Sequence, residues 1–384
     1  MNVILLGAGL IGGPMAIDLS KDPHMRVTIA DINEDRLKML SSGYPVNTIL
    51  ENLGNPENVS RLVADYDMVI NAMPGFMGFN TLKAIIMAGK NVVDIAFFIE
   101  DPFQLDALAK EKGVTAIMDC GVAPGMCNIL IGYVDQMLDE TENVLYYVGG
   151  LPEIREWPYE YKAVFSPVDV IEEYMRPARY IENGTLVIRP ALSDPELINF
   201  PGVGTLEAFN TDGLRSLVFT VRAKNMKEKT LRYPGHIEKM AVLKETGFFD
   251  REPIEISGQN IRPIDFTAKL LFPKWKMNEG EIDITVMKII VEGMDEGHRI
   301  RYIYDLLDKY DPLTGIHSMA RTTGYTATVA LRMIAEGLYD HKGISVPEYI
   351  GKYPNCVDYM LKGLKERGVI YREITENMDQ KSSE

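Results

Sequence analysis

Gly7-Ala8-Gly9-Leu10-Ile11-Gly12 constrains the fold of this chain more than any other segment. The glycines follow a short apolar run, Val3–Leu6, and open a helical pattern from about Leu10 to Leu19. A G-x-G-x-x-G motif is informative only in that strand–turn–helix setting. There the first glycine permits a tight turn, the second clears the path of a pyrophosphate, and the third lets helix and strand pack closely. The pyrophosphate rests on the positive end of the helix. Gly7, Gly9, Leu10, Ile11 and Gly12 are therefore expected to cradle a dinucleotide.

A second strand pattern, Arg26–Ala30, ends at Asp31, nineteen residues after Gly12. A carboxylate at that spacing accepts from the ribose hydroxyls and repels a 2′-phosphate. Ile32 and Asn33 add no positive charge, and Arg36 falls on the next helix, which Asn33 is placed to cap. NAD is the expected cofactor. Asn71-Ala72-Met73-Pro74-Gly75 ends a later strand pattern, and ligands gather at the carboxyl ends of such strands. Asn71, Met73 and Pro74 are expected near the nicotinamide ribose.

Strand patterns alternate with helical ones through Met118, which predicts βαβ units and a parallel sheet. After Gly121 the pattern changes. Pro124–Met137 reads as a helix, and then β-like runs dominate: Val144–Val148, Tyr161–Phe165, Thr185–Ile188, Leu217–Arg222, Ile282–Val291 and Arg299–Tyr304. The fold class is α/β: a Rossmann-type parallel-sheet domain (1–122), then an α+β domain with a largely antiparallel sheet (123–314). A helical C-terminal segment (315–384) follows. Its polar tail, Asp379–Glu384, is expected to fray.

With 384 residues, more than one domain is expected. Lys plus Arg is 40 against 55 Asp plus Glu, a formal charge of −15, which argues against nucleic acid or an anionic membrane as partner. No run of about 20 apolar residues is present. The apolar N-terminus lacks a basic n-region and a small-residue cleavage site. Cys120, Cys127 and Cys356 form no disulfide framework, so a reducing cytoplasm is expected. No CxxC or HExxH pattern points to a metal.

Asp119 lies at a strand end and opens the Cys120–Met126 turn. It is read as a base, an orienter of one, or a helix-capping carboxylate. Cys120 and Cys127 are read as packing residues. Asn210–Ser216 and Thr230–His236 cluster polar groups. Arg215 and Arg232 are candidate forks for a substrate carboxylate. His236 suits proton transfer. Lys162 does so if burial depresses its charge, and Thr211 is a further substrate contact.

Several segments together resemble the saccharopine dehydrogenase-like family, and within it the lysine 6-dehydrogenases. These are Gly7–Gly12, Val122-Ala123-Pro124-Gly125-Met126, Tyr147-Val148-Gly149-Gly150-Leu151-Pro152, Leu206-Glu207-Ala208-Phe209, Leu231-Arg232-Tyr233-Pro234-Gly235-His236, and Met319-Ala320-Arg321-Thr322-Thr323-Gly324-Tyr325-Thr326. The resemblance covers nearly the whole chain. It implies NAD-dependent oxidation of the lysine ε-amine to a 6-semialdehyde, with ammonia released and the product cyclising to piperideine-6-carboxylate. It also implies a C-terminal segment that returns to the first domain, and a homodimer or larger assembly. An ammonium of pKa about 10.4 must lose a proton before it can yield hydride. Asp119 or His236 is expected on the amine side, and Arg215 or Arg232 on the carboxylate side. Two other readings stand: an imine reductase of saccharopine or carboxynorspermidine type, and a non-catalytic NAD sensor.

Overall fold

The computed structural model describes residues 1–278 and 280–379. The expectation for the tail Asp379–Glu384 lies, from 380 on, outside them. The chain divides into two compact units, Met1–Met137 with Met319–Ile370, and Leu138–Ser318 with Tyr371–Glu384.

The first unit opens with β1 (Asn2–Leu6), β2 (Arg26–Asp31), β3 (Asn47–Leu50), β4 (Met68–Asn71), β5 (Asn91–Asp94) and β6 (Thr115–Ile117). The second holds β7 (Glu140–Pro152), β8 (Ala178–Glu182), β9 (Thr185–Arg189), β10 (Glu196–Phe200), β11 (Gly204–Asn210), β12 (Ala223–Arg232), β13 (Ile254–Ile256), β14 (Gln259–Ile261), β15 (Asp283–Asp295) and β16 (His298–Lys309). The chain then adds β17 (Gly343–Ser345) to the first sheet and β18 (Tyr371–Asn377) to the second.

Among the described residues, the first sheet is parallel and ordered β17-β6-β5-β4-β1-β2-β3. The strand order reverses between β1 and β4, the point where such sheets open a ligand crevice. β1, β4 and β5 are almost wholly buried, as strands covered on both faces are. Asn33 caps the helix Glu34–Gly43, its side chain accepting from the Arg36 N–H.

The second sheet runs β10-β11-β12-β7-β15-β16-β18, with β8 and β9 attached beside β12. It is largely antiparallel, apart from the parallel pair β12–β7. Among the described residues, β13 and β14 pair only with each other. Tyr161, Val170, Tyr174, Phe209, Ile237, Met240 and Trp275 form one of its cores.

Four expectations change. Leu217–Arg222 is not a strand: Leu217–Thr220 is a helical turn, closed by Phe219 and Thr220 N–H groups and the Thr220 hydroxyl on the Ser216 carbonyl. Phe219 is exposed there, so the apolar run fills no continuous core face. Tyr161–Phe165 has only an isolated bridge, Ala163 to Lys276. The helix Met126–Met137 belongs to the first unit rather than the second. Gly132 and Gly351 explain this, because a Cβ on Gly132 would lie 2.3 Å from Glu348 O and one on Gly351 2.4 Å from Ile129 O. Finally, the C-terminus does not stay with the first sheet: Tyr371–Asn377 pairs with β16.

Candidate active site

The glycine turn has the geometry that the motif demands. Gly7 sits at φ 104°, where a side chain is strained, and a Cβ there would lie 2.7 Å from Ala72 O. A Cβ on Gly12 would lie 1.9 Å from Gly7 O. Gly9 differs, since its missing Cβ meets nothing nearer than Arg36 Nη1 at 3.8 Å. That opening is the approach a pyrophosphate needs. The helix Gly12–Ser20 starts with no side-chain cap, and Leu10 is half exposed beside it.

Asp31 is anchored at the end of β2. One carboxylate oxygen accepts from Ala8 N–H at 2.5 Å, and the other from Asn33 N–H at 2.7 Å. A carboxylate has about four lone-pair directions, so two remain for ribose hydroxyls. The residues present therefore fit a dinucleotide. A nicotinamide dinucleotide held there would supply hydride-transfer chemistry.

Asn71 requires a correction. Its side chain is fully buried and cannot reach a cofactor. Nδ2 donates to Asp94 Oδ2 at 2.6 Å and to Gly78 O at 3.3 Å, while Oδ1 accepts from Met73 N–H at 3.3 Å. Asn71 thus braces the loop that carries Met73 and Pro74, which remain accessible. Asp94, a residue the sequence reading missed, also accepts from Ala96 N–H at 2.6 Å.

Asp119 follows β6 at φ 49° and is buried. The turn after it is tight: Gly125 has φ 136°, and Gly121 N–H donates to Pro124 O. Cys120 is buried, and burial, with Asp119 and Asp94 nearby, pushes its thiol well up, so it is no nucleophile.

In the second unit, β12 points Glu228, Thr230 and Arg232 to one face. Arg232 is buried. Its Nη2 donates to Glu173 at 2.9 Å, its Nε to Tyr174 OH at 3.4 Å, and its guanidinium lies 4.6 Å from the Tyr161 ring. Burial pushes the Glu173 carboxyl up, against the pull of Arg232. Arg232 is therefore already paired rather than an open clamp for a substrate carboxylate. His236 is corrected in the same way. Its Nδ1 meets Tyr159 O at 2.8 Å and its Nε2 meets Tyr174 OH at 2.9 Å. Burial, and then the charge of Arg232, pull it down to about 3. It is a neutral connector with no free nitrogen, not a general base.

Thr211 joins a separate network. Its hydroxyl donates to Glu228 at 2.5 Å and lies 2.8 Å from Thr230 Oγ1. Gly213 N–H also donates to Glu228. Burial pushes Glu228 up to about 8. Arg215 is buried on the turn after Gly213, at φ 53°. Lys162 is held between Glu281 at 3.1 Å and Glu156 at 3.4 Å, an ion-pair role rather than one in proton transfer. The structure thus joins Arg232 with His236 and Thr211 with Glu228, and leaves Lys162 apart. Glu173, Tyr174 and Glu228 were missed. The alternation Glu228-x-Thr230-x-Arg232 is a period-two signal that marks one strand face.

Comparisons with known proteins extend this geometry. Residues 3–117 match the saccharopine dehydrogenase NADP binding domain, and residues 121–369 the saccharopine dehydrogenase C-terminal domain. The chain is 24% identical over 447 residues to the mitochondrial alpha-aminoadipic semialdehyde synthase of Mus musculus, covering 96% of this chain and 47% of that protein. It thus spans about half the length of that relative. It is 22% identical to the saccharopine dehydrogenase (NADP(+), L-glutamate-forming) of Saccharomyces cerevisiae, covering 96% of this chain and 98% of that one. A carboxyaminopropylagmatine dehydrogenase of Synechocystis is also 22% identical, with 97% of each chain covered. The solved apo structure of the yeast saccharopine dehydrogenase (L-Glu forming) superposes with a TM-score of 0.79 at 20% identity, over 98% of this chain and 99% of that one, and shares its fold. With the dinucleotide domain and the domain that follows it both matched, the chain belongs to the saccharopine dehydrogenase family of oxidoreductases.

Proposed function

We propose that this protein is an NAD-dependent amine dehydrogenase that oxidises the ε-amine of L-lysine to the 6-semialdehyde and releases ammonia. The observation that carries the reading is the occupation of the second unit's cations. Arg232 is paired with Glu173, and Lys162 with Glu281 and Glu156. A substrate with several carboxylates, such as saccharopine, needs several open cationic forks. A substrate with one carboxylate and a cationic amine asks less of the site. The net charge of −15 favours such a cation mildly. Asp119 and Arg215 are the proposed amine-side and carboxylate-side residues, with Thr211 nearby on the chain.

Asp31 supports NAD. The matched domain model and the yeast relative carry NADP in their names, so both dinucleotides belong in the test. No helix among the described residues is long and apolar enough to cross a membrane. The family resemblance supports a homodimer or larger assembly, and the three buried free thiols suit a reducing cytoplasm. The test is reduction of NAD and NADP at alkaline pH with lysine, ornithine, saccharopine and β-lysine. Lysine-dependent NADH formation is expected. Turnover only with NADPH, a semialdehyde and an amino acid selects the imine reductase reading instead. Dinucleotide binding without turnover in either direction selects the sensor.

A further inference from the structure

Arg36 stands where a helix disfavours a cation, and no carboxylate offsets it. Asn33 caps the helix Glu34–Gly43 and accepts from the Arg36 N–H, which puts Arg36 in the first helical turn. The acidic Glu34 and Asp35 of that turn suit the positive end of the helix dipole, and a guanidinium works against it. Among the described residues Arg36 makes no ion pair. Glu34 is taken by Lys38 at 2.8 Å, and Asp31 by the Ala8 and Asn33 N–H groups.

The Arg36 side chain nevertheless has a direction. It is exposed, and its Nη1 donates to Ala8 O at 3.5 Å, across 28 positions of the chain. That bond is at the long limit for N–H···O, so it steers the group without occupying it, and a guanidinium has further N–H donors to give. The same Nη1 lies 3.8 Å from the point where a Cβ on Gly9 would stand. Apart from the chain neighbours of Gly9, no other atom of the described residues comes within 4 Å of that point. Gly9 is the glycine whose missing side chain clears the path of a pyrophosphate. The one side chain at that opening is thus a cation without an anion. Ala8, Gly9, Asp31 and Arg36 all belong to the first unit.

We propose that Arg36 is a cofactor-binding residue that takes the dinucleotide's pyrophosphate in its guanidinium fork. The proposal rests on the dinucleotide reading of the glycine turn and is independent of the amine. The start of the helix Gly12–Ser20 offers about half a positive charge. A diphosphate brings more negative charge than that, and a guanidinium meets two phosphate oxygens with parallel N–H donors. Asp31 and Arg36 both hold Ala8, the first at its N–H and the second at its carbonyl. They divide the recognition of the cofactor: the carboxylate serves the ribose, and the guanidinium serves the phosphates and offsets the repulsion between them and Asp31.

Fluorescence titration of the full chain with NADH and NADPH tests this, with ADP-ribose and adenosine as displacing ligands. ADP-ribose keeps the diphosphate and lacks the nicotinamide, and adenosine lacks every phosphate. Arg36→Gln is expected to weaken NADH and ADP-ribose alike, by about 10-fold, and to leave adenosine unchanged. Added salt is expected to weaken NADH binding more steeply in the wild type than in Arg36→Gln. Arg36→Lys keeps the charge without the fork, so its affinity is expected to fall between the two and its salt dependence to persist. Unchanged affinity for NADH and ADP-ribose in Arg36→Gln overturns the proposal, and a loss confined to NADPH then assigns Arg36 to a 2′-phosphate. An equal loss for adenosine assigns it to the adenosine end and overturns the proposal too. Equal losses in Arg36→Gln and Arg36→Lys, with salt dependence unchanged, overturn it in favour of a merely structural role. A wild-type protein that binds neither NADH nor NADPH overturns the dinucleotide reading and this proposal together.

Discussion

Asp18, on the helix that the glycine turn opens, accepts from Arg332 Nη1 at 2.8 Å, although the two lie more than three hundred positions apart in the chain. Arg367 Nε and the Thr328 hydroxyl complete the cluster, at 2.8 and 2.6 Å. The pair fastens the returning C-terminal helices to the dinucleotide helix inside the first unit. Burial alone would raise the Asp18 carboxyl, but Arg332 and Arg367 outweigh it and hold it below its ordinary value. Asp18→Asn leaves Arg367 without its anion and Arg332 with only the more distant Asp22, at 3.7 Å, and is expected to cost about 3 kcal/mol, as for other broken buried pairs. The wild-type contribution is present above the unfolded carboxyl value and is lost as pH falls through the lower folded value. Urea titrations at neutral and acid pH check both the loss and its direction.

Glu228 has the opposite sign. Burial raises it to about 8. The folded protein therefore holds a proton there that the unfolded chain releases at about 4.3. The stability it contributes is complete below the unfolded value and is lost as pH rises towards 8, with a slope of up to about 1.4 kcal/mol per pH unit. Glu228→Gln keeps an acceptor for the Thr211 hydroxyl and Gly213 N–H and removes the titration. Its unfolding free energy is expected to vary less between pH 5 and 8 than that of the wild type. Parallel slopes for the two proteins are the adverse outcome.

The reasons some residues were readable and others not are local against tertiary. The tight turn at Gly7 and Gly12 and the strand-end position of Asp31 were legible because turn geometry and strand spacing operate over a few residues. Asn33 capped its helix for the same reason. Arg232 and His236 looked like open functional groups because their partners are distant in sequence: Glu173 and Tyr174 come from a helix about sixty residues earlier. Nothing near Asn71 in sequence signals that Asp94 will take its amide. Leu217–Thr220 was misread because a short apolar run has no period to separate strand from helix.

Asp31 makes the cofactor preference testable without any knowledge of the amine. Two of its lone pairs hold the Ala8 and Asn33 N–H groups, which leaves two for further donors. Asp31→Ser removes the charge that repels a 2′-phosphate, and Arg36, whose Nη1 lies 3.5 Å from Ala8 O, is close enough to favour one. The ratio of NADP to NAD affinity is expected to rise about 10–100-fold, or roughly 1.4–2.8 kcal/mol. Fluorescence titration with the reduced forms measures it. A wild-type preference for NADP, unchanged by the substitution, refutes the assignment of Asp31.

His236 can be tested directly as the proton-transfer group that its residue type suggested. Burial, together with the charge of Arg232, holds it down at about 3, so it is neutral throughout the range from pH 5 to 9. Its effect on stability follows from that depressed value: the contribution is full above the unfolded value of about 6.5 and is lost as pH falls towards 3. His236→Gln breaks the links to Tyr159 and Tyr174, and a loss of about 1–3 kcal/mol is expected from the polar groups left unpaired. Its decline in Tm between pH 6.5 and 5 is expected to be shallower than in the wild type. The limbs of the kcat/KM profile, in contrast, are expected to stay where they are, because a group that does not titrate between pH 5 and 9 cannot set them. A shifted limb in His236→Gln returns the acid–base role to this residue.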